Sequence, residues 1–223
     1  MVCSASSTRS DFIDQLTQNS LGRFNFMVLG VSMAKILVTG FEPFDSFTIN
    51  PSEEIVKDLN GIMVSRHSIV GIVLPLDYKN ALGILDEALE KHKPEYVVCL
   101  GQSNRASITI ERIAINILST KRPDNYGNIP ESDIINYEGP AAYLANLEPQ
   151  RLVQVLKDKG IPAEVSYFAG AYGCNWLLYN VMHRIETGVL DAEATFIHLP
   201  HLPGQVIEKD LMFIATMTLD DQF

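Results

Sequence analysis

The sequence predicts a single α/β domain, a largely parallel sheet covered by helices on both faces. Three observations point there. Short β-branched runs alternate with amphipathic helical stretches, the order that builds parallel sheets. One run, Tyr96–Leu100, is apolar without interruption, as a strand buried on both faces must be. The chain has 223 residues, 47% hydrophobic and 20% charged, which suits one sizeable core and is too apolar for disorder.

The elements follow in order from Ala34. Lys35–Val38 is a β-branched strand ending at Thr39-Gly40. Asn50-Pro51-Ser52-Glu53 opens a helix: Asn50 can cap, Pro51 suits the first helical position, and Glu53 can reach back to the cap. Asn60-Gly61 stops that helix after Leu59. Ser68–Pro75 is a second strand, and Tyr78–His92 a helix with Ala81, Ile84, Leu85 and Leu89 as its apolar positions. Tyr96–Leu100 comes third, followed by a β-rich stretch over Ser107–Leu118 and a long loop over 119–148. A helix over Gln150–Lys159 ends at Gly160, and Ala163–Phe168 is another strand. Cys174–Glu186 is a helix with Leu177, Leu178, Val181 and Ile185 on one stripe, and Ala194–Leu199 is the last strand. Ligands of such sheets bind beyond strand C-termini, and the residues below all lie near one.

Composition excludes several functions. A net charge of −10 argues against a nucleic-acid surface, which needs clustered Lys and Arg. Three cysteines, Cys3, Cys99 and Cys174, are too few and too scattered for a disulfide framework or a zinc site, and they point to a reducing, cytoplasmic setting. No apolar run approaches a membrane span. Glycine spacing for a phosphate cradle is missing, as are Cys-x-x-Cys and His-Glu-x-x-His, so neither metal nor organic cofactor is expected. Residues 1–32 are polar, rich in Ser and Asn, and end in a short apolar run from Phe24; they read as an extension without chemistry of its own, with 33–223 as the domain.

Three residues stand out. Cys174 follows a glycine-punctuated turn and opens a helix, where the positive end of the macrodipole and free N–H groups favour a thiolate and can receive an oxyanion. It reads equally well as a small buried side chain. His198 ends an apolar strand, where a general base can face a cleft or a histidine can simply be satisfied in the core; His201 competes with it. Glu111 needs a partner if buried. The residues alone favour an ion pair with Arg112 over a contact to histidine.

Taken in order, five blocks resemble the pyroglutamyl peptidase type I family of cysteine peptidases. They are Val38-Thr39-Gly40-Phe41-Glu42-Pro43-Phe44 with Asn50-Pro51-Ser52; Gly101-Gln102, Arg105 and Ile110 to Asn116; Pro123-Asp124-Asn125 with Gly139 to Tyr143; Ala169-Gly170, Tyr172 and Cys174-Asn175; and Phe196 to Pro200 with Leu202-Pro203 and Gln205. The resemblance implies a single-domain α/β/α sandwich around a mostly parallel, mixed and twisted sheet of the phosphorylase/hydrolase-like kind, and a peptidase that removes N-terminal pyroglutamate from peptides with Cys174, His198 and Glu111, in a cytoplasmic homotetramer without cofactor. It prefers His198 to His201. It places Phe41, Phe44 and Tyr172 around the lactam ring, Asn50 at a conformation-holding or ring-contacting position, and Gln102 at the ring edge, with Arg105 as a candidate for oxyanion stabilisation. A nucleoside phosphorylase-like enzyme and a catalytically impaired binding protein are the alternatives on the same architecture.

The sequence departs from the family pattern in places. Asp45-Ser46 stands where Gly-Gly is usual, and Lys121-Arg122-Pro123 differs from the common form. The stretch from Gly101 to Arg105 is one residue short, with Asn104 in place of a small residue. Phe168 replaces a small hydroxyl residue, and Gly173 replaces an apolar one before the cysteine. A chain beginning at Met33 is expected to fold and to turn over a pyroglutamyl reporter as the full chain does. Thermal melting and kcat/KM on the two chains check this, and a large loss of either contradicts it.

Overall fold

The computed structural model describes residues 34–209, 211 and 214–223; the expected extension 1–32 lies outside the described residues. Lys35–Phe41 forms β1, Pro51–Leu59 α1, Met63–Val64 β2 and His67–Leu74 β3. Ala81–His92 is α2 and Tyr96–Gln102 is β4. Ile108–Glu111 and Ile113–Ile115 are β5 and β6, and Ala142–Leu144 is β7. Pro149–Asp158 forms α3, Ala163–Ser166 β8, Gly173–Glu186 α4 and Glu193–Leu199 β9. Two short helices close the chain, α5 over Pro203–Lys209 and α6 over Leu219–Gln222.

The main sheet runs β2-β3-β1-β4-β9-β5-β8. The pairs β3–β1, β1–β4 and β4–β9 are parallel, whereas β5 lies antiparallel to β9 and carries β8 with it. The mixed sheet is therefore as expected, and the reversed pair sits at one side of it. What reads in sequence as one β-rich stretch is two strands in two sheets: β5 joins the main sheet, while β6 leaves it to pair with β7. The turn-over at Arg112 makes that change, and β7 itself lies inside the expected long loop.

Strand alternation sorts the core into two layers. Ile36, Val38, Val98, Leu100, Ile197 and Leu199 face Ile55 and Val56 of α1 and Leu152, Val153 and Leu156 of α3. Leu37, Val97, Cys99, Ala194 and Phe196 face Leu85 and Leu89 of α2 and Leu177, Leu178 and Val181 of α4. Each buried Leu, Ile or Phe stabilises by about 1.5–3 kcal/mol relative to exposure, so both faces contribute and the sandwich needs both.

Asn50 caps α1 and Pro51 opens it as the sequence predicts, whereas Glu53 turns to Lys57 Nζ at 3.0 Å instead of reaching back to the cap. Asn50 Oδ1 accepts from Ser52 N at 3.0 Å, and Asn50 Nδ2 donates to the Glu42 carbonyl at 3.1 Å. Ser52 Oγ donates to Asn50 Oδ1 at 2.9 Å and accepts from Phe41 N at 3.0 Å. A helix cap of this kind is worth about 1 kcal/mol. Here it also fixes the chain leaving β1. Asn50 is 1% exposed with its amide committed on both sides, which suits the conformation-holding position.

Candidate active site

His198 lies near the end of β9 on the face that carries α4. Its register partners are Gly101 on β4 and Thr109 on β5. Glu111, two residues beyond Thr109, shares that face and reaches diagonally across the antiparallel seam, a distance a carboxylate and an imidazole can span. His198 Nδ1 and Glu111 Oε1 stand 2.7 Å apart. With Nδ1–H given to the carboxylate, Nε2 is the nitrogen left for Cys174.

Glu111 is fully buried, and three groups converge on its Oε1: His198, Arg105 Nη1 at 2.8 Å, and the Thr109 hydroxyl at 3.3 Å. Burial pushes its carboxyl up, but the bond and charge of His198, a pull from Ser166 and the Arg105 cation together take it below its ordinary value. Its Oε2 makes no hydrogen bond of ordinary geometry, although Ser166 faces it in register from β8. The expected pairing with Arg112 does not occur. Neighbouring strand residues point to opposite faces, and Arg112 Nη1 donates to the Ala145 carbonyl at 2.9 Å instead.

His198 is 5% exposed. Burial alone lowers its pKa, yet attraction and hydrogen bonding to Cys174, then to Glu111, reverse that and carry it up to about 9. Cys174 is a half-buried free thiol in the first turn of α4. Trp176 N closes the first helical bond on the Tyr172 carbonyl at 3.0 Å, so the N–H groups of Gly173, Cys174 and Asn175 have no acceptor within the helix. Asn175 pins this helix start to the β6 segment, accepting from Ile115 N at 2.9 Å and donating to the carbonyls of Ile115 and Ile117.

Two glycines make the approach possible. A Cβ on Gly101 would stand 2.9 Å from Cys174 Sγ and 2.7 Å from the Phe196 ring, so the sulfur rests against bare backbone beside His198. A Cβ on Gly173 would fall 2.4 Å from Leu76 Cδ1. The departure at Gly173 is thus matched in volume: Leu76 fills the space that a larger residue before the cysteine would take.

The remaining expected residues are placed differently from one another. Phe44 and Tyr172 are half-buried on the Cys174 side, whereas Phe41 is 2% exposed and supports the start of α4 from below. Gln102, expected at a ring edge, points the other way. Gly101 faces Cys174, so the next residue must face the opposite layer. There Gln102 Nε2 meets His201 Nδ1 at 3.1 Å and its Oε1 accepts from Gln205 at 2.6 Å. Arg105 is spent on Glu111, on Thr109 Oγ1 at 2.7 Å and on the Phe168 carbonyl at 2.7 Å, which leaves the helix-start N–H groups as the better oxyanion donors. His201 is held on the far layer by Gln102 and by Asn104 Oδ1 at 2.7 Å, away from Cys174.

Sequence reading missed Gly101 and Thr109 as parts of the site. A glycine in a run of buried strand residues was the available signal, since it marks a close approach by something else. Among the described residues no three His, Cys, Asp or Glu side chains gather as a metal site. An apolar cavity of about 310 Å³ between Ile36, Val98, Leu199 and Phe223 lies on the other face and touches none of these groups.

Known proteins match most of this chain. The family described as pyroglutamyl peptidase matches residues 34–223. Pyrrolidone-carboxylate peptidase of Bacillus subtilis is 43% identical over 186 residues, covering 83% of this chain and 86% of its own. The enzyme of the same name from Yersinia pestis is 43% identical over 177 residues, covering 79% and 82%. The crystal structure of pyroglutamyl peptidase I from Bacillus amyloliquefaciens superposes with a TM-score of 0.80 at 42% identity, over 85% of this chain and 89% of that one. Pyrrolidone carboxyl peptidase from Pyrococcus furiosus gives 0.81 at 37% identity, over 84% and 92%. These matches support the peptidase expectation and not the phosphorylase one.

Gly101→Ala tests the close approach. The variant is expected to lose about 1–3 kcal/mol of stability through overpacking. Displacement of the sulfur from His198 should slow iodoacetamide modification of Cys174 by about tenfold or more. An unchanged rate in a folded variant would show that the sulfur does not rest on Gly101.

Proposed function

We propose how this chain works from the premise that it belongs to the pyroglutamyl peptidase family: it hydrolyses the bond that follows an N-terminal pyroglutamyl residue, with Cys174 as nucleophile. The observation that carries the assignment of roles is the bond from Glu111 to His198 behind a thiol in the first turn of a helix. The carboxylate orients the imidazole and favours its charged form. The imidazolium and the helix N-terminus both favour a thiolate.

The Cys174 thiolate attacks the pyroglutamyl carbonyl carbon. The oxyanion that forms is received by the unpaired N–H groups of the first turn of α4. His198 gives its Nε2 proton to the leaving amine as the C–N bond breaks, and a thioester remains. His198 then takes a proton from water, which attacks the thioester and releases pyroglutamate. The Glu111–His198 contact weighs against a catalytically impaired binding protein.

The lactam ring explains the selectivity. It is flat and uncharged, so aromatic walls such as Phe44 and Tyr172 suit its faces. Proline, glutamate and glutamine N-termini carry an ammonium whose burial without a partner costs several kcal/mol. The same reading makes the peptidase a cytoplasmic homotetramer, on the family resemblance and on the need for a reduced Cys174. No helix among the described residues is long and apolar enough to cross a membrane.

Hydrolysis of a pyroglutamyl amide reporter, with a prolyl reporter as control, is the test. Only the pyroglutamyl amide should be cut, and iodoacetamide should stop the reaction. His198→Ala should lose at least about a hundredfold in kcat/KM, whereas His201→Ala keeps most of it. Because the imidazolium is the proton donor and its pKa is raised to about 9, it stays charged through neutrality. Activity should therefore fall as pH rises through about 9. Equal cutting of both reporters, or full activity in His198→Ala, contradicts the reading.

A further inference from the structure

Two departures from the family pattern, far apart in sequence, meet at the mouth of the site. Arg122 Nη2 pairs with Asp45 Oδ2. The same guanidinium lies over the Tyr172 ring, its Cζ 4.1 Å from the centroid, and within 5.9 Å of the Phe44 centroid. These are the half-buried aromatic rings assigned above to the faces of the lactam. A guanidinium is planar and stacks on such faces through cation–π attraction. A lactam ring is also planar and needs the same faces.

The backbone around Arg122 leaves only its side chain free to yield. Asp124 accepts from the N–H groups of Tyr78, Tyr126 and Asn128. Asn125 Nδ2 donates to Glu42 Oε1 and to the Pro43 carbonyl, each at 2.8 Å, and Tyr172 Oη donates to the Pro123 carbonyl at 2.7 Å. On the other side Phe47 N bonds the Phe44 carbonyl at 3.1 Å around Asp45 and Ser46, whose φ angles are +54° and +60°. A turn with both central residues in the left-handed region favours glycine or asparagine, and a serine there is strained. That strain is tolerated in a turn which presents the Asp45 carboxylate to Arg122.

We propose that Arg122, held by Asp45, occupies the Phe44–Tyr172 aromatic surface in the free enzyme and competes with the lactam ring of the substrate for it. The inference rests on the reading of Phe44 and Tyr172 as the lactam walls. Arg122 is thereby a determinant of substrate affinity that acts before chemistry and touches no reacting atom. Its side chain must rotate off Tyr172 as the lactam enters. The pair is 43% and 51% exposed, so salt weakens it and frees the surface.

Arg122→Ala and Asp45→Asn are the variants, the second keeping both size and tolerance for positive φ. On a pyroglutamyl amide each is expected to lower KM by about threefold to tenfold, with kcat within about twofold of wild type. Wild-type KM should fall as sodium chloride is raised, and that dependence should vanish in both variants. A second readout needs no turnover. N-ethylmaleimide is a flat five-membered imide, whereas iodoacetamide is small and open. The ratio of their rates at Cys174, followed by peptide mass mapping, should rise in both variants. A maleimide ratio unchanged in both folded variants, or a KM that is unchanged or raised in them, overturns the proposal. If the wild type leaves the amide uncut while the maleimide ratio still rises, the occupancy of the aromatic surface stands and the assignment of the reaction fails.

Discussion

The hydrogen bond between His198 and Glu111 is the interaction on which the rest of the site depends. It exists because β5 runs against β9 while β4, the other neighbour of β9, runs with it. In that register Thr109 opposes His198, and Glu111 stands one diagonal step away on the same face. A parallel β5 would carry Glu111 to a different level of the sheet. The reversal at one side of an otherwise parallel sheet is therefore what brings a buried acid to a buried imidazole.

Both groups are taken out of water, and neither would be stable there alone. The arrangement solves this by setting the buried pair between two more open groups: the Arg105 cation on the Glu111 side and the half-buried Cys174 sulfur on the His198 side. Glu111 and His198 are each favoured in the charged form by the groups beside them. Buried pairs of this kind contribute little net stability compared with apolar side chains of the same volume. Their retention fits the proposed chemistry better than it fits stability, since acid–base work needs a proton held at a stated atom. Gly101 serves the same end by letting sulfur approach where any side chain would intrude.

Much of this was legible in the sequence, and the failures have specific causes. The alternation of strands and helices and the caps of α1 are local signals, and they gave the layers and the start of α1 at Asn50. Cys174 at a helix start was equally local. Strand direction is not, because an antiparallel and a parallel strand share the same two-residue period. Spacing alone for that reason pairs Glu111 with Arg112, and only the family resemblance sets it with His198; the fold brings Arg105 to it from the preceding loop. The same period, applied one step further, would have turned Gln102 away from Cys174, since Gly101 and Gln102 cannot share a face. Asp45 and Arg122 read only as departures, and their meeting depends on loop geometry that no periodicity encodes.

The central claim is that His198 is a cation at neutral pH because Glu111 and Cys174 hold its proton. Histidine ring resonances of the folded protein, followed by NMR across pH, measure this directly, with His198 identified by its loss in His198→Ala. The account predicts a midpoint near 9 for His198, belonging to the coupled imidazole and thiol, and a clear downward shift in Glu111→Gln. A midpoint at or below the ordinary histidine value of 6.5, or one that Glu111→Gln leaves in place, would contradict it.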